Sequence, residues 1–470
     1  MRISHLVLLL GAFTLGACKD ATRPNLNNPS VTDFSTITDP SQVQALAIGV
    51  LNGDRGQIGN EVLYGETIGR DGYRLTGSEP RFVTELLGRA INPTDFLGAA
   101  LWPYASVRLA NIGINGVQNA PASVLSAEGQ QATLGFLRTI KALLYLRIVE
   151  ARDTAGAPIN TDITATLPPA PLSCANDVRN YVAALLDSAA ANLTAGGSSF
   201  PFVLPDGFSG FDDPASFLTF NRALAAKVDI YIAFRNYAAA GTIDGTALTA
   251  ANTALAASFM SQTAADLDVG PQHSFTTNSG DATNPLFENP SSTVFRANPR
   301  VVSEADPGDR RVAEKIITST PITQSGLTSS YVFVVYSSPS SPMSIITDKE
   351  LLLMQAEVLW GQGDYPGAIA LTNFIRVNDG GLAAKTLADY ATDVKGNVLN
   401  EILKQKRYSL LWESPDRWLD ARMFGKLNGS APPAGLGQER GFNPLENFPI
   451  PFNETSARSG DLSQQCTSTS

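Results

Sequence analysis

The sequence predicts a mostly α-helical protein in which helical hairpins form a scaffold, joined by long irregular loops and a few short strands. Apolar residues recur every three or four positions in several segments, for example at Leu137, Ile140, Leu144 and Ile148, and this spacing is typical of one buried helix face. Two long stretches lose that periodicity. Residues 331–337 (YVFVVYS) are the best strand candidate, because β-branched and aromatic residues dominate them.

The helices are predicted at 41–53, 95–117, 127–153, 177–193, 217–240, 250–262, 348–363, 366–378 and 396–412. Gly53 is expected to end the first helix, and Pro103 allows a bend in the second. Residues 54–95 are rich in glycine and lack periodicity, so a long loop region is expected there. A further loop is predicted at 196–216, and an irregular subdomain at about 268–345.

The size of the chain and of its loops bounds the architecture. A single core stops growing at roughly 250–300 residues, so 470 residues indicate two subdomains or one elongated scaffold. Loops this long inside a compact domain are usually functional. We therefore interpret the helices as a frame and the loops as the working surface.

The N-terminus has the features of an export signal. Arg2 supplies a positive charge, and residues 6–15 form an apolar run that is shorter than the roughly 18 residues of a spanning helix. The following LGAC resembles the bacterial lipobox, which is cut before a cysteine, here Cys18, that then carries acyl chains. An ordinary secretory signal is the alternative. The expected segments are a signal peptide at 1–17, a polar tether at 18–40 and the folded region at 41–470.

Composition excludes one class of partner. The net charge of −10 repels phosphate backbones, so nucleic-acid binding is not expected. The two cysteines outside the N-terminus, Cys174 and Cys466, either pair in an oxidising compartment or are two unrelated thiols.

Catalytic motifs are scarce. Removal of the signal takes away His5 and leaves His273 as the only histidine of the mature chain, and the sequence has no G-x-S-x-G, H-E-x-x-H, C-x-x-C or P-loop motif. No cofactor is therefore expected. A catalytic site made of two carboxylates stays an alternative, because Asp and Glu number 44 and any cleft can bring two of them together.

One acidic loop is a weak candidate for structural calcium. DGFSGFDDP, residues 206–214, could supply Asp206, Asp212 and Asp213 as oxygen ligands. It lacks the regular alternation of a calcium loop, so a solvated acidic turn is the preferred interpretation.

The segment QAEVLWGQGDYPGAIAL closely resembles a tetratricopeptide repeat; a generic helical hairpin is the alternative. Ala356 and Ala368 are small where two helices would approach closely. Gly363 can end the first helix, Asp364 can cap the second, and Pro366 suits a first-turn position. Two weaker hairpin candidates precede it, at 130–195 and 217–262, and their intervening loops are longer than the repeat allows.

Four features occur together in order. They are the lipobox, the helix DFLGAALWPYASVRLANIGIN, the repeat hairpin, and the C-terminal run EILKQKRYSLLWESPDRWLDARMFGKL followed by NFPIPFNE. Together they resemble the SusD/RagB family of outer-membrane nutrient-binding lipoproteins. The residues that match its C-terminal pattern are Arg407, Glu413, Arg417, Trp418, Asp420, Pro449, Ile450, Pro451 and Glu454. The chain departs from the pattern at Lys406 and Ser409, where the family usually has Glu, and ESPDR is one residue longer than the family's EGxR.

The resemblance implies nutrient uptake without enzymatic activity. It implies a lipid-anchored, surface-exposed protein of the outer membrane whose repeats pack against a SusC-like TonB-dependent transporter. Loops on another surface would hold a glycan or peptide ligand. Arg417, Trp418 and Asp420 are interpreted as a buried ion pair and core packing rather than as ligand contacts.

Recognition by shape needs aromatic rings with polar neighbours. The candidate rings in predicted loops are Tyr64, Tyr73, Phe208, Phe211, Phe275 and Tyr336, with Arg74 beside Tyr73. For each ring, packing within its own loop is the preferred interpretation over ligand contact. Tyr73 is expected to be exposed, because Gly72 and Arg74 leave few apolar neighbours. Two alternatives remain, a lipid-anchored glycosidase that uses paired carboxylates and a helical-repeat adaptor without a small ligand.

Replacement of the lipobox cysteine tests the anchor. Cys18→Ser should prevent acylation and release the mature domain from membranes while leaving it folded, because two or more acyl chains are needed for stable anchoring. Fractionation followed by immunoblotting measures this. Persistence of the variant in the membrane pellet, after a wash that removes peripheral proteins, would contradict the lipobox interpretation.

Overall fold

Helices dominate the computed structural model, which describes residues 34–88, 90–161, 169–429 and 435–458. The helices are α1 (Pro40–Ile68), α2 (Arg81–Thr84), α3 (Phe96–Ala99), α4 (Tyr104–Gln118), α5 (Ala127–Arg152), α6 (Ala175–Thr194), α7 (Pro214–Ala233), α8 (Tyr237–Ala240), α9 (Gly245–Ala256), α10 (Pro299–Ser303), α11 (Arg310–Lys315), α12 (Asp348–Gly361), α13 (Tyr365–Asn378), α14 (Val394–Ser409), α15 (Asp416–Met423) and α16 (Phe452–Ala457). The strands are β1 (Gly72–Arg74), β2 (Gln272–His273), β3 (Phe295–Ala297), β4 (Ile316–Gln324), β5 (Leu327–Phe333) and β6 (Met343–Ser344). The predicted fold class is confirmed.

Several expectations concern residues that the structure does not describe. The signal peptide, Cys18, most of the tether and Cys466 lie outside the described residues. Cys174 is disulfide-bonded, so it is not a free thiol. Within the described ranges, no helix combines the length and the apolar character needed to cross a bilayer.

Two groups of helices build the scaffold. In the first, α5 packs on α6, α6 on α7 and α7 on α9. In the second, α12, α13 and α14 pack on one another, and α12 also contacts α7 and α9. One large apolar core runs between them, with buried side chains that include Leu186 of α6, Phe217 of α7 and Leu353 of α12. The helix periodicities in the sequence therefore mark the faces that meet in this core.

The α12–α13 hairpin forms as its sequence predicts. Gly363 has φ +83°, a left-handed conformation that ends α12 with little strain because glycine has no Cβ. The Asp364 side chain accepts a hydrogen bond from the Gly367 N–H at 3.0 Å and caps α13. Ala356 and Ala368 are fully buried, as expected for small residues at a close helix contact.

The first helix is longer than predicted. We expected α1 to end at Gly53 and a loop to follow, yet the helix continues to Ile68. Its glycines allow close packing instead of breaking the helix. A Cβ on Gly59 would lie 2.3 Å from Pro285, and one on Gly65 would lie 2.5 Å from Pro415. The prediction was wrong because it took glycines at close contacts for loop signals.

The predicted helix at 95–117 is divided. The short α3 is followed by a break, and α4 begins only at Tyr104, after Pro103. Pro103 cannot donate a backbone hydrogen bond, so the proline that was expected to bend one helix precedes the start of a second.

Small two-stranded sheets organise the irregular region at about 268–345. Strand β1 pairs with β3, β2 with β6, and β4 with β5, all antiparallel. The predicted strand at 331–337 overlaps only the end of β5, which begins earlier, at Leu327. A second apolar core lies beneath these sheets, where Phe333 stacks on Trp412 with ring centroids 4.1 Å apart.

A buried cluster of charges joins four helices. Lys406 of α14 lies 3.1 Å from Glu357 of α12, and 3.3 Å and 3.0 Å from Asp416 and Asp420 of α15. Asp416 also contacts Lys227 of α7 at 3.0 Å. The interpretation of Asp420 as a buried ion-pair partner is confirmed. Lys406, which departs from the family pattern, provides the central positive charge.

Burial shifts the proton equilibria of this cluster. Burial raises the pKa of Glu357 to about 8, against the opposing effect of Lys406. Burial alone would lower the pKa of Lys406, but Asp416, Asp420 and Glu357 hold it well above its usual value. Burial likewise raises the pKa of Asp420 to about 6. Protons as well as lysines therefore balance the buried carboxyl groups.

Overpacking the hairpin should destabilise the scaffold. Ala356→Trp forces a large ring into a fully buried contact and should lower the free energy of unfolding by roughly 1–3 kcal/mol or more. Ala370→Trp makes the same change at an exposed position of α13 and should have little effect. Thermal or urea unfolding compares the two. Equal stability of the two variants would contradict the packing.

The charge cluster predicts a pH dependence of stability. The pKa of Glu357 is about 8 in the folded chain and near 4.5 when unfolded. Between about pH 5 and 8 the folded state therefore binds more protons, and its stability falls as the pH rises. Each unit of pKa difference corresponds to about 1.4 kcal/mol. Glu357→Gln should flatten the loss of melting temperature across this interval.

A matched control uses an exposed glutamate. Glu314 lies on the surface of α11, so Glu314→Gln should keep the wild-type slope between pH 5 and 8. A Glu357→Gln variant whose slope equals that of wild type would show that Glu357 does not take up the proton.

Candidate ligand-binding surface

The aromatic side chains predicted in loops are buried. The exposed fractions are 2% for Tyr64, 2% for Tyr73, 1% for Phe208, 5% for Phe211, 4% for Phe275 and 9% for Tyr336. The expectation that Tyr73 is exposed is wrong, and the other five rings pack inside the protein as well. Arg74 is half-buried. In this conformation none of the six rings offers an open face to a ligand.

Long-range pairing explains the burial of Tyr73. The glycine-rich segment forms β1, in which Tyr73 lies opposite Arg296 of β3, more than two hundred positions away in the chain. Burial, with a smaller effect of Glu439, raises the pKa of Tyr73 well above its usual value. The local sequence carries no signal of this partner, so the segment was taken for a flexible loop.

The acidic loop has a structural role at one of its three aspartates. Asp213 accepts hydrogen bonds from the N–H groups of Ala215 and Ser216 at 2.9 and 3.0 Å and so caps α7. Among the described residues, no group of three or more His, Cys, Asp or Glu side chains could hold a metal ion. The Asp213 carboxylate is thus bound by backbone N–H groups at the start of α7.

Two exposed phenylalanines lie on neighbouring helices. Phe96 of α3 is 39% exposed and Phe452 of α16 is 50% exposed, and within the described part of the chain no other aromatic side chain is as exposed. The two helices contact each other, and the Phe452 N–H donates to the Pro93 carbonyl at 3.0 Å. We call Phe96, Phe452, Arg81, Glu79 and Asp95 the aromatic platform.

Local geometry holds Phe96 at the surface. The Asp95 side chain accepts hydrogen bonds from the N–H groups of Leu97 and Gly98, which caps α3 at the residue before Phe96. A Cβ on Gly98 would lie 2.3 Å from the Asn92 carbonyl oxygen, so this tight turn requires glycine. The backbone of Phe96 is therefore fixed on both sides.

Arg81 forms the polar edge of the platform. Its guanidinium lies 4.7 Å from the centre of the Phe96 ring. It donates to both carboxylate oxygens of Glu79, at 2.7 and 2.6 Å, and to Asp95 at 3.1 Å. These hydrogen bonds raise the pKa of Arg81 and lower the pKa of Glu79. The platform thus carries a fixed, permanently charged donor beside an apolar ring.

Two of the predicted residues support the platform from behind. Phe82 lies 5.4 Å from Phe96, and the Arg74 guanidinium stacks 4.5 Å from the Phe82 ring. The Tyr64 ring lies 6.4 Å from Phe82 on the inner side. Tyr64 and Arg74 therefore contact Phe82, which packs against Phe96. Phe208 and Phe211 belong to the other core.

The sequence interpretation missed Phe96 and Phe452. Phe96 was assigned to the predicted helix 95–117, and Phe452 falls in the closing segment NFPIPFNE. One signal was available, since Asp95 is a good N-cap and an aromatic residue in the first turn of a helix has no preceding turn to cover it. A ring face with charged neighbours can stack on the apolar face of a sugar and bind its hydroxyl groups.

Solved structures identify the fold. No family model matches the sequence, and no curated protein matches it either. A SusD superfamily protein of Bacteroides fragilis NCTC 9343 is 15% identical with a TM-score of 0.63, covering 90% of this chain and 95% of that one. A second Bacteroides fragilis SusD superfamily protein is 16% identical with a TM-score of 0.64, covering 90% and 99%.

A third similar structure is that of a laminarin-binding SusD-like protein, 16% identical with a TM-score of 0.59, covering 90% of this chain and 98% of that one. This chain has the SusD-like fold. At such low identity these structures show the fold and do not assign a ligand to this SusD-like chain.

Proposed function

We propose that this chain is a lipid-anchored outer-membrane protein that binds oligosaccharides on the aromatic platform and delivers them to a SusC-like TonB-dependent transporter. One observation carries the proposal. Phe96 and Phe452 expose their rings on neighbouring helices, and Arg81 is held beside Phe96 by two carboxylates. Exposed apolar rings with a fixed polar edge suit a sugar better than an apolar ligand.

The similar structures and the sequence support the proposal. One of the similar structures is a laminarin-binding protein, which is a carbohydrate binder. The lipobox at Cys18 supports export and anchoring, and the Arg/Glu/Asp edge can bind the hydroxyl groups of a sugar or the backbone of a peptide. Peptides therefore belong in the ligand panel beside glycans.

The carboxyl groups of the buried charge cluster and of the platform are unsuited to hydrolysis. A glycosidase needs an accessible carboxylic acid of raised pKa close to a carboxylate. Burial raises the pKa of Glu350 to about 7 and of Glu357 to about 8, but both contact buried lysines in the core. Glu79 on the platform has a lowered pKa and cannot act as a general acid at neutral pH.

One carboxyl group near the platform keeps the glycosidase alternative open to test. Burial raises the pKa of Glu85, and its side chain accepts a hydrogen bond from the Asn92 N–H at 3.1 Å, just before the turn that carries Phe96. Prolonged incubation with each glycan that binds, followed by product analysis, decides it. Release of shorter sugars that Glu85→Gln abolishes would favour the enzyme.

Removal of one platform ring tests the binding site. Phe96→Ala should weaken oligosaccharide binding roughly three- to tenfold, because stacking on a ring is lost, and should change the melting temperature little. Calorimetric titration with laminarin oligosaccharides, other glycans and peptides measures the affinity. Phe452→Ala removes the second ring of the platform and tests it in the same way.

A matched control removes an equally exposed apolar side chain elsewhere. Leu387 is 42% exposed and lies outside the platform, so Leu387→Ala should bind as wild type does. Unchanged affinity in both phenylalanine variants would show that the platform is not the site. Immunolabelling of intact cells checks the location, and a signal only after permeabilisation would contradict surface exposure.

A further inference from the structure

A cavity of about 510 Å³ lies against α14 and α15 and shares no lining residue with the aromatic platform. Five polar residues of α14 line one wall, namely Asn397, Asn400, Glu401, Lys404 and Arg407. Arg417 and Lys426, from α15 and the segment after it, line another. The volume is sufficient for a sugar-sized molecule.

The spacing of polar residues in the sequence explains the α14 wall. Asn397, Asn400, Lys404 and Arg407 follow one another at intervals of three, four and three residues, which places them on one face of a helix. The opposite face packs in the core, where Val398 is buried. A continuous polar stripe on a core helix thus faces the cavity.

Charged side chains surround the cavity. Five cationic side chains and three carboxylates line it, and two carboxylates outside the lining, Asp71 and Asp306, also pair with these cations. Lys385 contacts Glu401 at 2.5 Å, and Lys404 is paired with Asp306, so these two lysines are neutralised within the protein.

Arg417 is the cation whose hydrogen-bonding capacity is unused. Its Nε is buried without a hydrogen-bond partner, and its nearest carboxylate oxygen, on Asp71, is 3.8 Å away. Arg407 already holds that carboxylate through hydrogen bonds of 2.6 and 2.9 Å. Among the described residues, no acceptor lies within hydrogen-bonding distance of the Arg417 Nε.

The neighbouring cations repel one another. Burial, and to a smaller extent repulsion by Arg407, lowers the pKa of Arg417 to about 10. Burial, and to a smaller extent repulsion by Arg417, lowers the pKa of Lys426. Burial of the Arg417 Nε without a hydrogen-bond acceptor is costly, and an anion beside the guanidinium would offset the repulsion between these cations.

We propose that this cavity binds a small oxyanion, a carboxylate or a phosphate carried by a sugar-sized molecule, through the Arg417 guanidinium. Guanidinium groups bind carboxylate and phosphate through paired N–H donors. Lys426, which donates to Asn400 at 2.7 Å, lies beside it as a second cation. The amides of Asn397 and Asn400 are suited to the neutral hydroxyl groups of the same ligand.

The test is calorimetric titration of the mature chain with glucuronate, inorganic phosphate and glucose. The wild type should bind at least one of the two anions and bind glucose much more weakly. Arg417→Gln should weaken anion binding roughly tenfold or more, because a hydrogen bond to a charged group is lost. Binding of glucuronate identifies a carboxylate ligand, and binding of phosphate alone identifies a phosphate ligand.

Controls separate this site from the platform and from general charge effects. Arg108→Gln removes an exposed arginine of α4 and should leave anion binding unchanged, as should Phe96→Ala. Loss of glycan binding in Phe96→Ala with anion binding intact shows that the two sites are independent. If Arg417→Gln does not fold, Lys426→Gln and Asn400→Ala address the same cavity and should weaken anion binding.

Three results would overturn the proposal. One is that wild type binds neither anion, a second is that glucose binds as well as glucuronate, and a third is that a folded variant of the cavity binds the anions with wild-type affinity. None of these results bears on glycan binding at the platform, so failure here is distinguishable from failure of the proposed function.

Discussion

The fold depends on a lysine that is buried in its core. Lys406 is 4% exposed, and an unpaired charge at that depth would destabilise the protein severely. Glu357, Asp416 and Asp420 surround it. Because these partners come from α12 and α15, Lys406 is satisfied only when three helices lie in one arrangement, and Asp416 extends the requirement to Lys227 of α7.

A chain of contacts leads from this lysine to the proposed glycan surface. Arg407, the next residue, binds Asp71 with both Nε and Nη2, and Asp71 directly precedes β1. Strand β1 carries Arg74, whose guanidinium lies between the rings of Phe82 and Phe295. Phe82 in turn supports Phe96. The exposed ring is therefore fixed by packing that begins at the buried charge cluster.

Local signals in the sequence were sufficient for the scaffold and insufficient for the surface. Gly363 and Asp364 define the α12–α13 turn with neighbours a few residues away, so the hairpin could be predicted. Tyr73 is buried by pairing with a distant strand, and Gly65 packs on Pro415. Neither contact can be predicted from the residues that flank Tyr73 or Gly65 in the sequence. The segment of Phe96 carried one local signal, the Asp95 cap. The helix that places Phe452 beside it comes from the far end of the chain, so the platform as a whole could not be recognised from its segment.

Charge in the core determines arrangement more than stability. Replacing a buried ion cluster by apolar residues is often neutral or stabilising, whereas removing one partner is costly. Here Lys227 and Lys406 face more carboxyl groups than they can neutralise, and burial raises the pKa of Glu350 to about 7 and of Asp420 to about 6. Any helix shift that separated Lys406 from Asp420 would leave the buried Asp420 without its lysine partner and Lys406 with one carboxylate fewer. The position of Arg407, and with it β1 and the platform, is thus set by the need to pair buried charges and not by apolar area alone.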